Sequence, residues 1–163
     1  MVANLSLNAF SPNQPIDGMY VYMANEGQLH NVIVSEDQST ALMAGNVVKL
    51  DTASTNTNAP VVLGAEAEDK PFGVVSYTPV QAQHSAGARV GLARENDVIW
   101  KTASAAISVG DVVMFDDTDD YSVATATAGS GETVGTLGIA LTPATADGDL
   151  IQVELHFGTL VGE

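Results

Sequence analysis

Residues 41–51 read ALMAGNVVKLD, and residues 106–116 read AISVGDVVMFD. In each stretch a glycine and an Asn or Asp precede a Val-Val pair. Glycine adopts turn conformations that other residues resist, and Asn or Asp hydrogen-bonds the local backbone. A β-branched run after such a turn is typical of a buried strand. The two stretches therefore predict two turn-to-strand units, 65 residues apart.

The likeness between the two units continues along the chain. Residues 73–79 read GVVSYTP and residues 138–143 read GIALTP, which is one residue shorter. In each unit the proline ends a strand, because proline cannot continue a ladder. A turn rich in small residues and a further strand follow in both. We therefore predict a two-copy internal repeat, about residues 41–93 and 106–157, with one shared core because two copies are too few for a solenoid.

Short apolar runs bounded by turn residues recur along the whole chain, which is typical of strands. Nine strands are predicted, at residues 18–23, 29–34, 47–50, 72–77, 88–93, 98–101, 112–115, 136–141 and 150–157. In the last strand, apolar residues at 151, 153, 155 and 157 alternate with polar residues at 152, 154 and 156. It should therefore be antiparallel, with one face buried and the other exposed to solvent. No ten-residue amphipathic stretch separates the strands. The prediction is an all-β fold, an antiparallel β-sandwich or a barrel-like domain.

Composition restricts the classes of function. The chain has 163 residues, no cysteine, and a net charge of −15 from 20 acidic and five basic residues. The lack of cysteine excludes disulfides, thiolate metal sites and a cysteine nucleophile. Five scattered cations cannot build a basic patch, so nucleic acid and anionic membranes are not expected partners. The chain start has no basic signal-peptide region, and synthesis and retention in a cytoplasm are expected.

Two kinds of segment stand outside the predicted strands. Residues 1–16, with two prolines and almost no charge, are predicted to form an extended N-terminal arm, and residues 17–163 a single β-rich domain. Residues 51–60 and 116–133 are predicted to be polar loops. Such segments are flexible solvent loops or arms that grasp a neighbouring subunit.

The acidic run Asp116-Asp117-Thr118-Asp119-Asp120 is the candidate metal site. An EF-hand loop needs glycine at its sixth position and glutamate at its twelfth. Counted from Asp116, these positions hold Tyr121 and Thr127. The pattern therefore favours an exposed acidic turn, and a loose calcium site stays open.

No other motif predicts catalysis. His30, His84 and His156 are far apart, and Gly129-Ser130-Gly131 is a loop phrase that matches neither a nucleophile elbow nor a dinucleotide turn. Trp100 is interpreted as a core anchor or an interface residue. Paired carboxylates for glycoside hydrolysis stay open. We predict no catalytic, cofactor-binding or metal-ligating residues, no cofactor, and a protein that is not an enzyme.

Residues 107–115, ISVGDVVMF, and residues 138–155, GIALTPATADGDLIQVEL, resemble the structural cement (head decoration) proteins of tailed bacteriophages. The resemblance covers residues 41–157, and its weight lies in the order of the motifs. It implies a non-enzymatic virion protein, made in the host cytoplasm, that binds the outer surface of a phage capsid. It also implies the major capsid protein as partner, bridging of coat subunits, and a homotrimer.

Two other classes remain as alternatives. One is a host- or carbohydrate-binding β-module of a virion, against which the aromatic content of 6% argues. The other is a small hydrolase with paired carboxylates. For a capsid-binding protein, the net charge of −15 predicts basic patches on the partner, because complementary charge sets register and association rate.

Overall fold

The computed structural model describes residues 15–22, 30–78 and 81–163, so most of the arm predicted at residues 1–16 lies outside the described residues. The described chain is all-β, as the sequence predicts. Its strands are β1 (Tyr20–Tyr22), β2 (His30–Val34), β3 (Leu42–Met43), β4 (Val47–Leu50), β5 (Val61–Gly64), β6 (Gly73–Val75), β7 (Gln83–His84), β8 (Arg89–Ala93), β9 (Val98–Thr102), β10 (Val112–Asp116), β11 (Ser122–Thr125), β12 (Thr133–Ala140) and β13 (Leu150–Val161).

Five strands of the first half close into a barrel, in the order β2-β5-β4-β6-β8, which we call barrel 1. Its pairs are antiparallel except β2–β5, which is parallel and differs from the antiparallel expectation. Inward-facing aliphatic side chains fill it, because alternate strand residues point to the same face. These are Val32, Val34, Leu42, Val48, Val62, Val75, Val90 and Leu92, with Phe72 packed against them.

The second half forms a six-stranded sheet in the order β1-β9-β13-β12-β10-β11. Ala103, one residue after β9, forms an isolated parallel bridge with Val123 of β11, so strands β9 to β13 curl toward each other while the sheet stays open. We call these five strands barrel 2. Ile151, Val153 and Leu155 of β13 are fully buried inside it, as the alternation of residues 150–157 predicts.

The glycine turns of the two halves have the same hydrogen bonds. The N–H of Gly45 donates to Val75 O (2.9 Å), and that of Gly110 donates to Ala140 O (2.8 Å). Both glycines have positive φ, +87° and +91°. The strands that follow are paired alike, because Val47 faces Val74 in β4–β6 and Val112 faces Ile139 in β10–β12. These contacts agree with the repeat, while the duplication itself stays a prediction.

All nine predicted strands are present within a few residues of their expected ends, and four strands were not predicted. Of those four, β3 and β7 have two residues each, and β5 follows the loop at residues 51–60. The fourth, β11, makes the loop prediction at residues 116–133 wrong over Ser122–Thr125. That segment is a strand because it pairs along β10 and buries Val123 completely.

The outward face of barrel 1 packs against barrel 2. Val47, Ala65, Val74 and Ala93 point out of barrel 1, and each is at most 1% exposed. They belong to the same buried cluster as the interior side chains of barrel 2. The two barrels therefore share a core, and the surfaces outside that contact are left to meet other molecules.

Candidate functional site

Within residues 15–22, 30–78 and 81–163, no group of three or more His, Cys, Asp or Glu side chains is arranged to hold a metal ion. The two histidines whose side chains are described lie in different surroundings. His84 is buried in the β3–β7 ribbon, whereas His156 is half-buried, with Glu95 and Glu154 at 3.8 and 3.6 Å. The prediction that the chain has no catalytic, cofactor-binding or metal-ligating residues stays a prediction.

His84 is a core histidine. Its side chain is 4% exposed, and its Nδ1 has no hydrogen-bond partner. Burial lowers the pKa of His84, because a charged imidazolium loses its hydration there. His84 lies opposite Leu42 in the β3–β7 ribbon, and its place is that of a packed side chain.

The acidic run at residues 116–120 forms a hydrogen-bonded turn between β10 and β11. Asp116 accepts bonds from the N–H (2.9 Å) and the hydroxyl (2.7 Å) of Thr118, which lower the pKa of its carboxyl. Asp119 accepts a bond from the hydroxyl of Ser122 (2.8 Å). Asp120 and Tyr121 have φ of +48° and +58°, which allows the chain to reverse. The arrangement is that of a turn stabilised by its own side chains.

A buried ion pair ties the start of the described chain to both barrels. The Nζ of Lys101 on β9 is 3.0 Å from Asp17 Oδ2 and donates to the carbonyl of Gly45 at 2.8 Å. The Lys101 side chain is completely buried, and Asp17 Oδ1 has no partner. Burial raises the pKa of Asp17 although Lys101 opposes the rise. We call these three residues the junction, and its role is structural.

Two hollows mark the outside of barrel 1. One, of about 560 Å³, is polar and lies under the loop at residues 51–58. The other, of about 680 Å³, has an apolar centre that includes Leu50, Leu63 and Phe72. Its charged lining is mixed: Lys49 and Lys70 alternate with Asp37, Asp51 and Asp69, and Lys49 is paired with Asp69 at 2.7 Å. We call the second the barrel 1 groove. The guanidinium of Arg94 lies 3.7 Å from the centre of the Phe72 ring and covers one face of it.

Barrel 2 carries a group of exposed apolar side chains next to the glycine turn at Gly110. Val109, Val112 and Leu141 are 62%, 47% and 39% exposed. They are neighbours because Ala140 is hydrogen-bonded to both Gly110 and Asp111, at 2.8 and 2.9 Å. The barrel 2 face consists of these residues and their partners on the same side of the sheet: Val109, Val112, Ala126, Ile139 and Leu141, with Glu154 opposite Ile139.

Trp100 lies partly buried on β9, between β1 and β13. Its backbone is hydrogen-bonded to Met19 and Gly18, both at 2.9 Å, and it faces Gln152 across the sheet.

The sequence did not reveal the barrel 1 groove or the barrel 2 face. The sequence offers only weak signals for them: one cation, Lys70, lies two positions before Phe72, and Val109 and Val112 flank one glycine turn.

Within the described residues, no helix has the length and apolar character needed to cross a membrane. A search of curated proteins gives no match. The sequence profile described as phage cement protein matches residues 30–155, from the first strand of barrel 1 into the last strand of barrel 2. The match begins earlier than the resemblance at residues 41–157 and spans both barrels. The chain therefore belongs to the phage cement protein family, and its role is that of a structural component of a phage capsid.

Proposed function

We propose that this protein binds the outer surface of a phage head and stabilises it by bridging coat subunits, without catalysis. The observation that carries the proposal is the family match over residues 30–155, which includes both barrels. Cementing requires a rigid body with large contact surfaces. Two barrels joined by a common core supply the rigidity, because their backbone groups are paired in ladders.

The charge distribution supports a basic docking site on the capsid. Residues 98–163 contain ten acidic side chains and one cation, Lys101, which is fully buried. The exposed charges of barrel 2 are therefore acidic throughout that segment. Opposite charges on the coat subunits would steer the encounter and fix its register.

The test is decoration of phage heads that lack the protein. Purified chain is mixed with undecorated heads, and occupancy is measured after sedimentation. Decorated heads should keep their DNA to a higher temperature than undecorated heads. Absence of binding at saturating protein would contradict the proposal, and binding to a glycan array instead would support the host- or carbohydrate-binding alternative.

We also propose that the protein is a homotrimer and that residues 1–16 form an arm that contacts a neighbouring subunit. The arm carries almost no charge on a chain of net charge −15, so its contacts would be little affected by charge repulsion. Deleting residues 2–14 leaves the junction at Asp17 intact. The deletion should lower head occupancy without changing the melting temperature of the free chain, and unchanged occupancy would contradict the arm proposal.

A further inference from the structure

Corresponding outward faces of the two barrels differ in what covers them. Val112 has the position in β10 that Val47 has in β4, since each follows its turn glycine by two residues. Ile139 is paired with Val112 as Val74 is paired with Val47. Val47 and Val74 are fully buried against barrel 2, whereas Val112 is 47% exposed. The barrel 2 face therefore corresponds to a face that is covered in the other half of the chain.

The side of the sheet that carries the barrel 2 face continues as far as Trp100. Leu141 donates its N–H to Gln152 O at 2.8 Å, and Gln152 faces Trp100 of β9. Two residues further along β13, Glu154 faces Ile139. Alternate residues of a strand point to the same side, so both rows belong to one surface. Trp100 is the single tryptophan of the chain and is half-buried there, and tryptophan is enriched among the residues that dominate binding energy at interfaces.

The charged side chains at this surface are acidic. Asp111 lies in the turn between Val109 and Val112, and Glu154 lies opposite Ile139. His156, the next residue of β13 on this side, has its Nε2 3.6 Å from a carboxylate oxygen of Glu154. From β9 onward the sequence has one Lys or Arg, Lys101, and its side chain is completely buried. A partner that docks here meets apolar side chains bordered by negative charge.

The charges of a second copy of the chain do not fit this surface. Besides Lys101, the chain has four Lys or Arg residues. Lys49 is paired with Asp69 at 2.7 Å, and Arg94 covers an aromatic ring of its own chain. Lys70 and Arg89 are the two that remain, both exposed, on a chain of net charge −15. Because like charges repel at an interface, a copy of this chain is a poor partner for an acidic face.

We propose that the barrel 2 face docks on a coat subunit of the head, at an apolar site bordered by Lys or Arg side chains. This inference rests on the proposed function and assigns the surface with which the protein binds the head. Val109, Val112 and Leu141 lie at the centre of the contact, where burial excludes water, and Asp111 and Glu154 meet the cations at its border. An apolar core with a polar rim is the usual composition of a specific interface, and opposite charges fix its register.

Photo-cross-linking on decorated heads tests the contact directly, because the chain contains no cysteine and a single one can be introduced. Val112→Cys is labelled with benzophenone maleimide before it is mixed with undecorated heads. Val161→Cys, 60% exposed and outside the barrel 2 face, is the matched control. After illumination we expect a product of one chain plus one coat subunit from position 112, and several-fold less from position 161. Mass spectrometry should place the attached coat residue beside Lys or Arg.

The possible failures separate this inference from the proposed function. A cross-link from position 112 to another copy of the chain would overturn the occupant. Equal coat cross-links from both positions would overturn the assigned surface, and an attachment site without Lys or Arg nearby would overturn the charge of the partner. If the label at position 112 alone prevents sedimentation with heads, the face is needed for docking and the inference is supported. Failure of the unmodified chain to bind heads would overturn the proposed function itself.

A cation inserted in the face gives a second measurement. Val112→Lys should weaken head binding by about tenfold or more, because the ammonium group would lose water in an apolar contact and meet cations of the coat subunit. Val161→Lys, at a similarly exposed valine, should leave head binding unchanged. Equal dissociation constants for the two variants would overturn the inference. Light scattering of the free chains is the further control: dissociation of an oligomer by Val112→Lys alone would show a contact between copies and overturn the inference as well.

Discussion

Lys101 has no exposed side-chain surface, and its ammonium group is held by one carboxylate oxygen and one backbone carbonyl. Burying a charge is costly unless it is paired, and removing one partner of a buried pair is more costly still. Asp17 already has one oxygen without a partner. The junction is therefore a place where a single substitution has a large effect.

Lys101→Ala should lower the free energy of unfolding by about 3 kcal/mol, since it leaves Asp17 unpaired and opens a cavity. Lys101→Met keeps most of the volume and should cost less. Denaturant unfolding of the two variants measures the difference. Equal stability of wild type and Lys101→Ala would mean that the junction does not stabilise the fold.

His84 should make stability depend on pH. Its folded pKa lies below the ordinary value of 6.5, so the unfolded chain binds the proton more tightly than the folded chain. The stabilising contribution is therefore complete above pH 6.5 and is lost as the pH falls through the folded pKa. Unfolding midpoints should decrease across this window, and His84→Gln should reduce the slope. A wild-type midpoint that is flat from pH 7 to below the folded pKa would contradict the assignment.

Turns at the two glycines give a matched comparison at the scale of the element. A side chain at either position is strained by its positive φ, by about 1 kcal/mol or more. A methyl group at Gly110 meets open space, whereas one at Gly45 would lie 2.5 Å from the carboxylate of Asp17. Gly45→Ala should therefore destabilise the protein more than Gly110→Ala does. Equal losses in thermal unfolding would show that the Asp17 contact does not matter.

A strand could be predicted from the sequence when its own alternation of apolar and polar residues shows which side is buried. Residues 150–157 alternate so regularly that the inward face of β13 could be predicted, and it is fully buried at Ile151, Val153 and Leu155. Strand β11 reads Ser-Val-Ala-Thr and has one large apolar residue. It exists because of its pairing with β10, which no local pattern shows. The parallel pairing of β2 with β5 is equally non-local.

For the whole molecule, net charge dominates the response to salt. Like charges at −15 repel within the folded chain and between copies, and salt screens them over about 10 Å at about 0.1 M. The melting temperature of the free chain should rise with ionic strength. The association rate with heads should fall, because salt also screens attraction to basic patches. Stopped-flow scattering and thermal unfolding across a salt series check both, and a salt-independent association rate would contradict the proposed basic patches.

The candidate surfaces could not be predicted, although the family could. Motif order carried the resemblance to phage cement proteins, and that membership is confirmed over residues 30–155. The groove and the face depend on which side of each barrel the other barrel covers. Val47 and Val112 each lie two residues after a turn glycine and begin a Val-Val pair. Val47 is buried against barrel 2, whereas Val112 is exposed. A sequence shows the local pattern of residues but not which other part of the fold packs against it.

The junction also determines which bonds would carry a pulling force applied to the N-terminal residues. Gly18, one residue after Asp17, donates its N–H to Trp100 of β9 and accepts a bond from Tyr77 beyond β6. Lys101 holds Asp17 and Gly45 at the same place. If residues 1–16 hold a neighbour, a pull on them is divided between both barrels at this point. The force then acts on several hydrogen bonds at the same time. Bonds loaded together resist a larger force than bonds that break one after another, as they would if β1 were peeled from the edge of the sheet.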